Sequence, residues 1–312
     1  MNETCVYEAF DRPIVADDTL SLPLSTRSDF DRPNRTDGYS VIRIRHGTLP
    51  DYPDAVAAQL ERVYADPSGG FDAYLTDDET IYWFDDVIGT IRVSGGTEIV
   101  VSPAESVSIS DPVVGRFVSG PGLRTAIGQQ GDLVVHASAV VVDGAAIAFT
   151  GPSGRGKSTA AAACAAHGHT ALADDATVIA RSRGAATIVL PGTDRLSISD
   201  EVREAVNSPV GAIDSDTVTT DTREREPRPL AAICVLEDGD RFETTRLSSS
   251  QATFELMRMS DALYADDDRV ALESHTARAS WLAETVPVVR FQRPRSLSAL
   301  DEFVARVEAI LP

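Results

Sequence analysis

Short apolar runs separated by Gly, Pro and Asp occupy the first part of the chain, between residues 38 and 130. Runs rich in β-branched and aromatic residues and bounded by such turn formers predict strands. A loosely ordered arm with two Asp-Arg-Pro triplets is expected before them, over residues 1–37. We therefore predict a strand-rich N-terminal domain over residues 38–130, with strands at Tyr39–Arg45, Phe71–Thr76, Thr80–Phe84, Ile88–Val93 and Glu98–Val101, a helix at Ala55–Tyr64 and an interrupted helix from Asp111 to Gln130.

Longer apolar strands and helical segments alternate in the rest of the chain, which predicts an α/β domain over residues 131–312. Asp143-Gly144 is a strong two-residue hairpin turn between Leu133–Val142 and Ala145–Thr150. The polar segment Asp221–Pro229 is expected to be a mobile loop. Further strands are predicted at Thr170–Ala173, Val178–Ala180, Thr187–Leu190, Ala231–Leu236 and Val286–Phe291, and helices at 160–166, 199–207, 249–264, 272–284 and 296–310.

The amino-acid composition limits the kinds of partner that the protein can bind. The 312 residues carry a net charge of −20, which argues against nucleic acid because phosphate-backbone binding needs clustered Lys and Arg. The basic residues are almost all Arg, and Lys157 is the only lysine. Because molar salt screens self-repulsion among acidic side chains, this surface predicts a salt-loving source such as a haloarchaeon. An acidic protein of an Arg-rich, GC-rich genome is the alternative.

The same composition predicts a cytoplasmic protein with no membrane partner. No run approaches the ~18–20 continuous apolar residues of a membrane span, and the acidic start does not resemble a secretory signal. Cys5, Cys164 and Cys234 lie far apart without ligand spacing, so we expect neither a disulfide framework nor a cysteine metal site, and Cys164 in its Ala run is expected to be core packing. The sequence leaves a homo-oligomer open.

A glycine-rich segment between a predicted strand and a predicted helix carries the clearest chemistry. It fits the Walker A pattern G-x-x-x-x-G-K-[ST] of a P-loop, in which backbone N–H groups cradle phosphates. Lys157 can reach the β and γ phosphates of ATP, and the Ser158 hydroxyl can hold Mg²⁺. A chance match in a Gly-containing loop is the alternative. The predicted nucleotide-binding residues are Gly151, Pro152, Ser153, Gly154, Arg155, Gly156, Lys157, Ser158 and Thr159.

Two adjacent carboxylates, Asp174 and Asp175, end the predicted strand Thr170–Ala173. In a strand–loop–helix–strand unit, this strand can lie beside the loop strand with its carboxyl end near the phosphates. One carboxylate can then ligate Mg²⁺ while the other takes a proton from an incoming hydroxyl. A solvated acidic turn is the alternative.

The hairpin register predicts the position of His136. A two-residue turn pairs Val142 with Ala145, and extending this register places His136 opposite Gly151. A histidine there would lie beside the phosphates and could donate a hydrogen bond or assist proton transfer. The alternative is a partly buried strand histidine that bonds to backbone.

These residues together resemble the catalytic domain of HPr kinase/phosphorylase. The resemblance is closer to HPr-kinase-related proteins that lack the phosphorylase half, and it is specific over residues 136–175 only. Its elements are His136-Ala-Ser-Ala-Val, the Asp-Gly hairpin, Gly151–Thr159 and His167-Gly168-His169 followed by Asp174-Asp175.

The resemblance implies a P-loop-containing, phosphoenolpyruvate-carboxykinase-like kinase domain that phosphorylates a serine hydroxyl with ATP. By position it makes Asp175 the catalytic base with Asp174 as its acidic neighbour, Ser158 a magnesium ligand and His136 the histidine beside the loop. Together with the residue chemistry above, the predicted catalytic residues are Asp175, His136 and Lys157, and the predicted metal-side residues are Ser158 and Asp174. The Arg-Gly-rich family signature is missing after the acidic pair, and the N-terminal domain differs from that of the bifunctional enzymes. The acceptor is therefore left as a protein, a peptide or a small alcohol.

Two other classes stay open, a P-loop ATPase and a nucleotide-binding regulator without turnover. The sequence argues against a standard GTPase, because the Asn-Lys-x-Asp motif of that class needs a second lysine. The late cluster Arg290, Arg293 and Arg295 could bind an acidic acceptor, but a solvated turn is the favoured interpretation.

Overall fold

The computed structural model describes residues 4–24, 39–49, 61–65, 71–75, 79–84, 88–182, 186–192, 196, 198–206, 212–214, 217–218, 226–260 and 269–311. The chain forms two compact units, Met1–Asp132 with Asp261–Glu273 and Leu133–Ser260 with Ser274–Pro312. Several predictions fall outside the described residues: part of the arm (1–3 and 25–37), the first part of the predicted helix at 55–60, the loop residues 221–225 and the end of the predicted helix at 261–264.

The first unit is built on an eight-stranded sheet with strand order β1-β2-β3-β8-β7-β6-β5-β4. Strands β2, β3 and β8 are parallel neighbours, and the other neighbours are antiparallel. The strands are β1 (Thr4–Ala9), β2 (Arg12–Asp17), β3 (Ile42–His46), β4 (Glu61–Ala65), β5 (Asp72–Leu75), β6 (Glu79–Trp83), β7 (Gly89–Ser94) and β8 (Glu98–Pro103).

Two sequence predictions are wrong in this unit. The expected loose arm contains β1 and β2, which pair antiparallel with each other, and Arg12 of the first Asp-Arg-Pro triplet is fully buried. Its guanidinium donates to the Phe10 carbonyl and to Gln130, and it pairs with Asp132. The predicted helix at Ala55–Tyr64 ends in strand β4, which pairs with β5. Pairing with a neighbouring strand therefore overrides the local helical pattern there.

The interrupted helix of the first unit has the predicted form. Helix α1 (Pro112–Phe117) starts at Asp111, whose side chain accepts a hydrogen bond from the Val113 N–H. A π-helical turn at Val118–Gly122, which contains Pro121, joins it to helix α2 (Leu123–Gln129). The proline removes one backbone donor and explains the interruption.

The second unit contains a nine-stranded sheet with the order β12-β10-β11-β17-β14-β13-β9, in which β19 pairs with both β17 and β18. A separate two-stranded sheet pairs β15 (Ala212–Asp214) with β16 (Thr217–Val218). The other strands are β9 (Leu133–Val135), β10 (Ala137–Val142), β11 (Ala145–Thr150), β12 (Thr170–Ala173), β13 (Thr177–Arg181), β14 (Thr187–Val189), β17 (Arg228–Asp238), β18 (Glu243–Arg246) and β19 (Val288–Arg293).

Strand direction brings four strand ends to one edge of this sheet. β12 and β11 are both antiparallel to β10, and β11, β17 and β19 run parallel to one another. The carboxyl ends of β12, β11, β17 and β19 therefore share an edge, where ligands of α/β sheets bind. The expectation that β12 lies directly beside β11 is wrong, since β10 separates them, but their carboxyl ends still meet at that edge.

Helices cover both faces of the second sheet. Ala160–Cys164 of α3 and Phe303 of α7 pack on one face, while Leu256 of α5 and Leu282 of α6 pack on the other, so the unit is a mixed α/β fold. None of the described helices is long and apolar enough to cross a membrane. The helices are α3 (Lys157–Ala166), α4 (Asp200–Ala205), α5 (Ser249–Met259), α6 (Arg269–Thr285, in this unit from Ser274) and α7 (Leu300–Glu308).

Small side chains shape the core beneath the glycine-rich segment. The alanines of α3 and Cys164 are buried, which lets the helix lie close to the sheet. Burial raises the pKa of Cys164 to about 12. The thiol is therefore neutral and acts as core packing, as the sequence predicted.

Candidate functional site

The glycine loop, defined as Gly151–Gly156, turns the chain sharply between β11 and α3. Gly151, Gly154 and Gly156 have φ values of 145°, 77° and 76°, a region that glycine adopts without steric cost. A Cβ on Gly151 would lie 3.0 Å from the Leu236 carbonyl oxygen of the neighbouring strand. The loop thus needs glycine for both its backbone angles and its close approach to β17.

Lys157 is buried at the first position of α3 and closes the glycine loop. Its Nζ donates to the Gly151 carbonyl oxygen at 3.0 Å and to that of Pro152 at 3.4 Å. Thus the single lysine of the chain holds its ammonium against the start of the loop. A compact ammonium suits this enclosed position better than the larger planar guanidinium of arginine.

His136 lies where the hairpin register predicted. Ala137 pairs with Thr150 in the structure, so His136 falls opposite Gly151, and the Thr150 Oγ1 donates to the His136 carbonyl oxygen at 3.1 Å. The His136 Nδ1 lies 3.1 Å from the Asp175 carbonyl oxygen and 3.4 Å from Asp175 Oδ1. Because a carbonyl only accepts, Nδ1 carries the proton in this contact.

The adjacent carboxylates have opposite environments. Asp174 is 3 % exposed, and its Oδ1 accepts a hydrogen bond of 2.6 Å from Ser138 Oγ. The Asp175 side chain is 55 % exposed, and its backbone has a φ of 65°. A positive φ is uncommon outside glycine, although aspartate tolerates it better than most residues. The turn therefore buries one carboxylate and presents the other to solvent beside His136.

Ser158 and Asp174 were predicted as metal-side residues. A hydroxyl and a carboxylate are hard oxygen donors of the type that Mg²⁺ prefers, usually with phosphate oxygens and water completing its shell. Among the described residues, no group of three or more His, Cys, Asp and Glu side chains could hold a metal ion. Two such donors would need phosphate oxygens or water beside them to complete the shell of a bound Mg²⁺.

Guanidinium groups occupy the other side of the glycine loop. Arg155 forms an ion pair with Asp238 at the end of β17. Arg293 at the end of β19 is 7 % exposed, and its Nη2 donates to the Arg155 carbonyl oxygen at 2.9 Å. Burial lowers the pKa of Arg293 below its ordinary value, although arginine stays charged in proteins. The favoured interpretation of a solvated turn is therefore wrong for Arg293.

Sequence reasoning missed two residues of this edge, Ser138 and Asp238, and took Arg293 for part of a solvated turn. Every second side chain at the end of β19 is buried, namely those of Val289, Phe291 and Arg293. Strand periodicity could therefore have placed Arg293 on the core-facing side. Asp238 follows the apolar run of β17. A carboxylate at the end of an apolar strand is a signal that could have marked this residue from the sequence. Ser138 follows His136 by two residues but had no signal of its own, since its role depends on the distant Asp174.

Comparisons with known proteins give a distant structural likeness. No protein-family model and no curated protein match the chain. Among solved structures, the HPr(Ser) kinase/phosphatase from Coxiella burnetii matches with 13 % sequence identity and a TM-score of 0.31, over 57 % of this chain and 96 % of that chain. A TM-score this low carries no argument about activity, so function has to be argued from the residues of this chain.

Proposed function

We propose that this protein is a kinase that transfers the γ-phosphoryl group of ATP to a hydroxyl group. The observation that carries the proposal is the joint position of the glycine loop, Lys157 and the His136–Asp175 pair at one sheet edge. Phosphoryl transfer needs positioned phosphates, stabilisation of developing negative charge and a base for the attacking hydroxyl. The same edge offers a residue for each of these tasks.

The glycine loop and Lys157 supply the first two tasks. The loop turns at three glycines with positive φ directly before α3, and this arrangement aims backbone N–H groups and a helix N-terminus at one point. The Lys157 ammonium, already held at Gly151, would contact the β and γ phosphates. Mg²⁺ held by Ser158 and Asp174 would neutralise part of the phosphate charge.

Asp175 supplies the third task. Its carboxylate is exposed and therefore accessible to an acceptor, whereas Asp174 is buried against Ser138. As the acceptor oxygen forms its bond to phosphorus and the bond to the ADP oxygen breaks, the acceptor proton moves to Asp175. His136 bonds to the Asp175 backbone and holds this turn in place.

Labelled ATP tests this proposal. ATP labelled at its γ-phosphoryl group would be incubated with wild type in three mixtures: alone, with a serine peptide library and with host lysate. The Lys157→Ala variant is the matched control, because any label that also appears with it comes from lysate kinases and is subtracted as background. The proposal expects label on a hydroxyl acceptor with wild type only. Release of free phosphate alone, whatever acceptor is offered, would instead identify an ATPase.

A further inference from the structure

A cavity of about 270 Å³ opens beside the glycine loop and has no role in the chemistry described so far. It lies on the side of Arg293 and Arg295, away from His136 and the acidic pair. The loop contributes Gly154–Gly156 to its wall, and α3 contributes Thr159. Glu201 and Val202 of α4 and Leu300 of α7 complete much of the rest. The cavity is therefore continuous with the proposed phosphate site.

Strand order fixes the direction in which a triphosphate would cross the loop. The edge runs from β12 through β10, β11 and β17 to β19. His136 and Asp175 lie at the β10–β12 end, so the reacting γ-phosphoryl must lie toward that end. The α-phosphate and the nucleoside attached to it must then point toward β19. The cavity lies at that end of the same edge.

The cavity wall has the chemistry of a nucleoside site. Val202 and Leu300 are buried apolar residues that can pack against one face of a base. The Arg295 side chain is 70 % exposed at the wall, where a guanidinium can stack on the other face. The Glu201 carboxylate accepts hydrogen bonds, as an acidic residue does from ribose hydroxyls in dinucleotide sites.

We infer that this cavity, the nucleoside cavity, holds the base and ribose of ATP, with Arg295 stacking on the base and Glu201 accepting from the ribose hydroxyls. This inference rests on the proposed function and adds its nucleoside subsite. Arg293 also lines the cavity and brings a positive charge to it, and its hydrogen bond to the Arg155 carbonyl oxygen holds the glycine loop.

Calorimetric titration with two probes, Mg·ATP and Mg·tripolyphosphate, tests the inference on the full chain. Wild type should bind ATP more tightly, because tripolyphosphate has no nucleoside. Arg295→Ala should weaken ATP binding about tenfold, the size of a desolvated cation–π contact, and leave tripolyphosphate affinity nearly unchanged. Arg241→Ala is the matched control, since Arg241 is 82 % exposed on another turn and pairs with Glu243, just as the exposed Arg295 pairs with Asp238.

Glu201 is tested with a dideoxyribose analogue of ATP. Wild type should prefer ATP to this analogue, and Glu201→Gln should reduce the preference, because an amide replaces the charged acceptor. Two results would overturn the nucleoside cavity: equal weakening of ATP and tripolyphosphate by Arg295→Ala, or unchanged ATP binding in both variants. If Lys157→Ala changes the affinity of neither probe, the proposed function is wrong as well. The Lys157→Ala result therefore distinguishes failure of the proposed function from failure of the nucleoside cavity alone.

Discussion

The two sides of the glycine loop differ in the charge they present. The β10–β12 side carries an imidazole and two carboxylates, whereas the β17–β19 side carries the guanidiniums of Arg155, Arg293 and Arg295. Groups on the first side accept or move protons, and groups on the second stay positively charged. In the proposed kinase, proton chemistry would therefore take place on one side of the loop and nucleotide binding on the other, with Lys157 between them.

Asp175→Asn gives the largest effect that separates the two sides. Asparagine keeps the size of the side chain but has no oxygen of comparable basicity. Phosphotransfer should fall by ~10²–10⁴, the usual contribution of a positioned general base. ATP affinity should stay nearly the same, because the loop still holds the phosphates. Single-turnover transfer and calorimetry measure the two quantities, and transfer at the wild-type rate would show that Asp175 is not the base.

Asp174→Asn tests whether the buried carboxylate of Asp174 has a different role from the exposed carboxylate of Asp175. Because Asp174 is buried and accepts from Ser138, the loss of its charge weakens a charge-assisted hydrogen bond, worth about 1–3 kcal/mol. We expect a lower free energy of unfolding and a weaker response of activity to Mg²⁺ concentration. Asp175→Asn is the control for stability, since its side chain is exposed. Equal stability of the two variants would contradict the different roles assigned to them.

Gly156→Ala probes the guanidinium side. A Cβ at Gly156 would collide with Arg293 Nη2, whereas a Cβ at Gly154 would meet open space, although both glycines have nearly the same positive φ. Both alanine variants carry the left-handed strain, and Gly156→Ala alone also displaces the bond from Arg293 to Arg155. It should therefore cost about 1 kcal/mol more than Gly154→Ala in denaturant unfolding. Equal costs would indicate that Arg293 does not fix the loop.

A pH effect near β9 should be the smallest. The backbone N–H of His136 donates to the Met259 carbonyl oxygen. Ser260, the residue after Met259, forms a hydrogen bond with His275 through its hydroxyl group. Burial, with the nearby Arg278 charge second, lowers the pKa of His275 from its usual 6.5. The His275 imidazole therefore binds a proton more tightly in the unfolded chain than in the folded one. The free energy of unfolding should be undiminished by His275 above pH 6.5 and should decline as the pH falls below that value.

His275→Gln provides the check on that effect. Glutamine has no titrating group, so the variant should show a shallower decline in the free energy of unfolding below pH 6.5 than wild type. Denaturant unfolding at several pH values measures both slopes. An unchanged slope would mean that another group is responsible.

Local patterns in the sequence predicted most of what surrounds the loop. The Asp-Gly turn fixed the register that put His136 opposite Gly151, because a two-residue hairpin leaves no freedom in its pairing. The strand carrying Asp174 was also predicted, but its place beyond β10 depends on long-range pairing that no local pattern carries. Arg12 shows the same limit, since its partner Asp132 is remote in the sequence and the triplet around it resembles a disordered segment.

The central claim is that the glycine loop and Lys157 bind the phosphates of ATP for transfer. Calorimetric titration of Mg·ATP into wild type and Lys157→Ala tests it most directly, with circular dichroism to establish that both are folded. Wild type should bind ATP, and the variant should lose most of that affinity and all detectable phosphotransfer, because the ammonium that contacts the phosphates is gone. Equal affinity and undiminished transfer in folded Lys157→Ala would contradict the account.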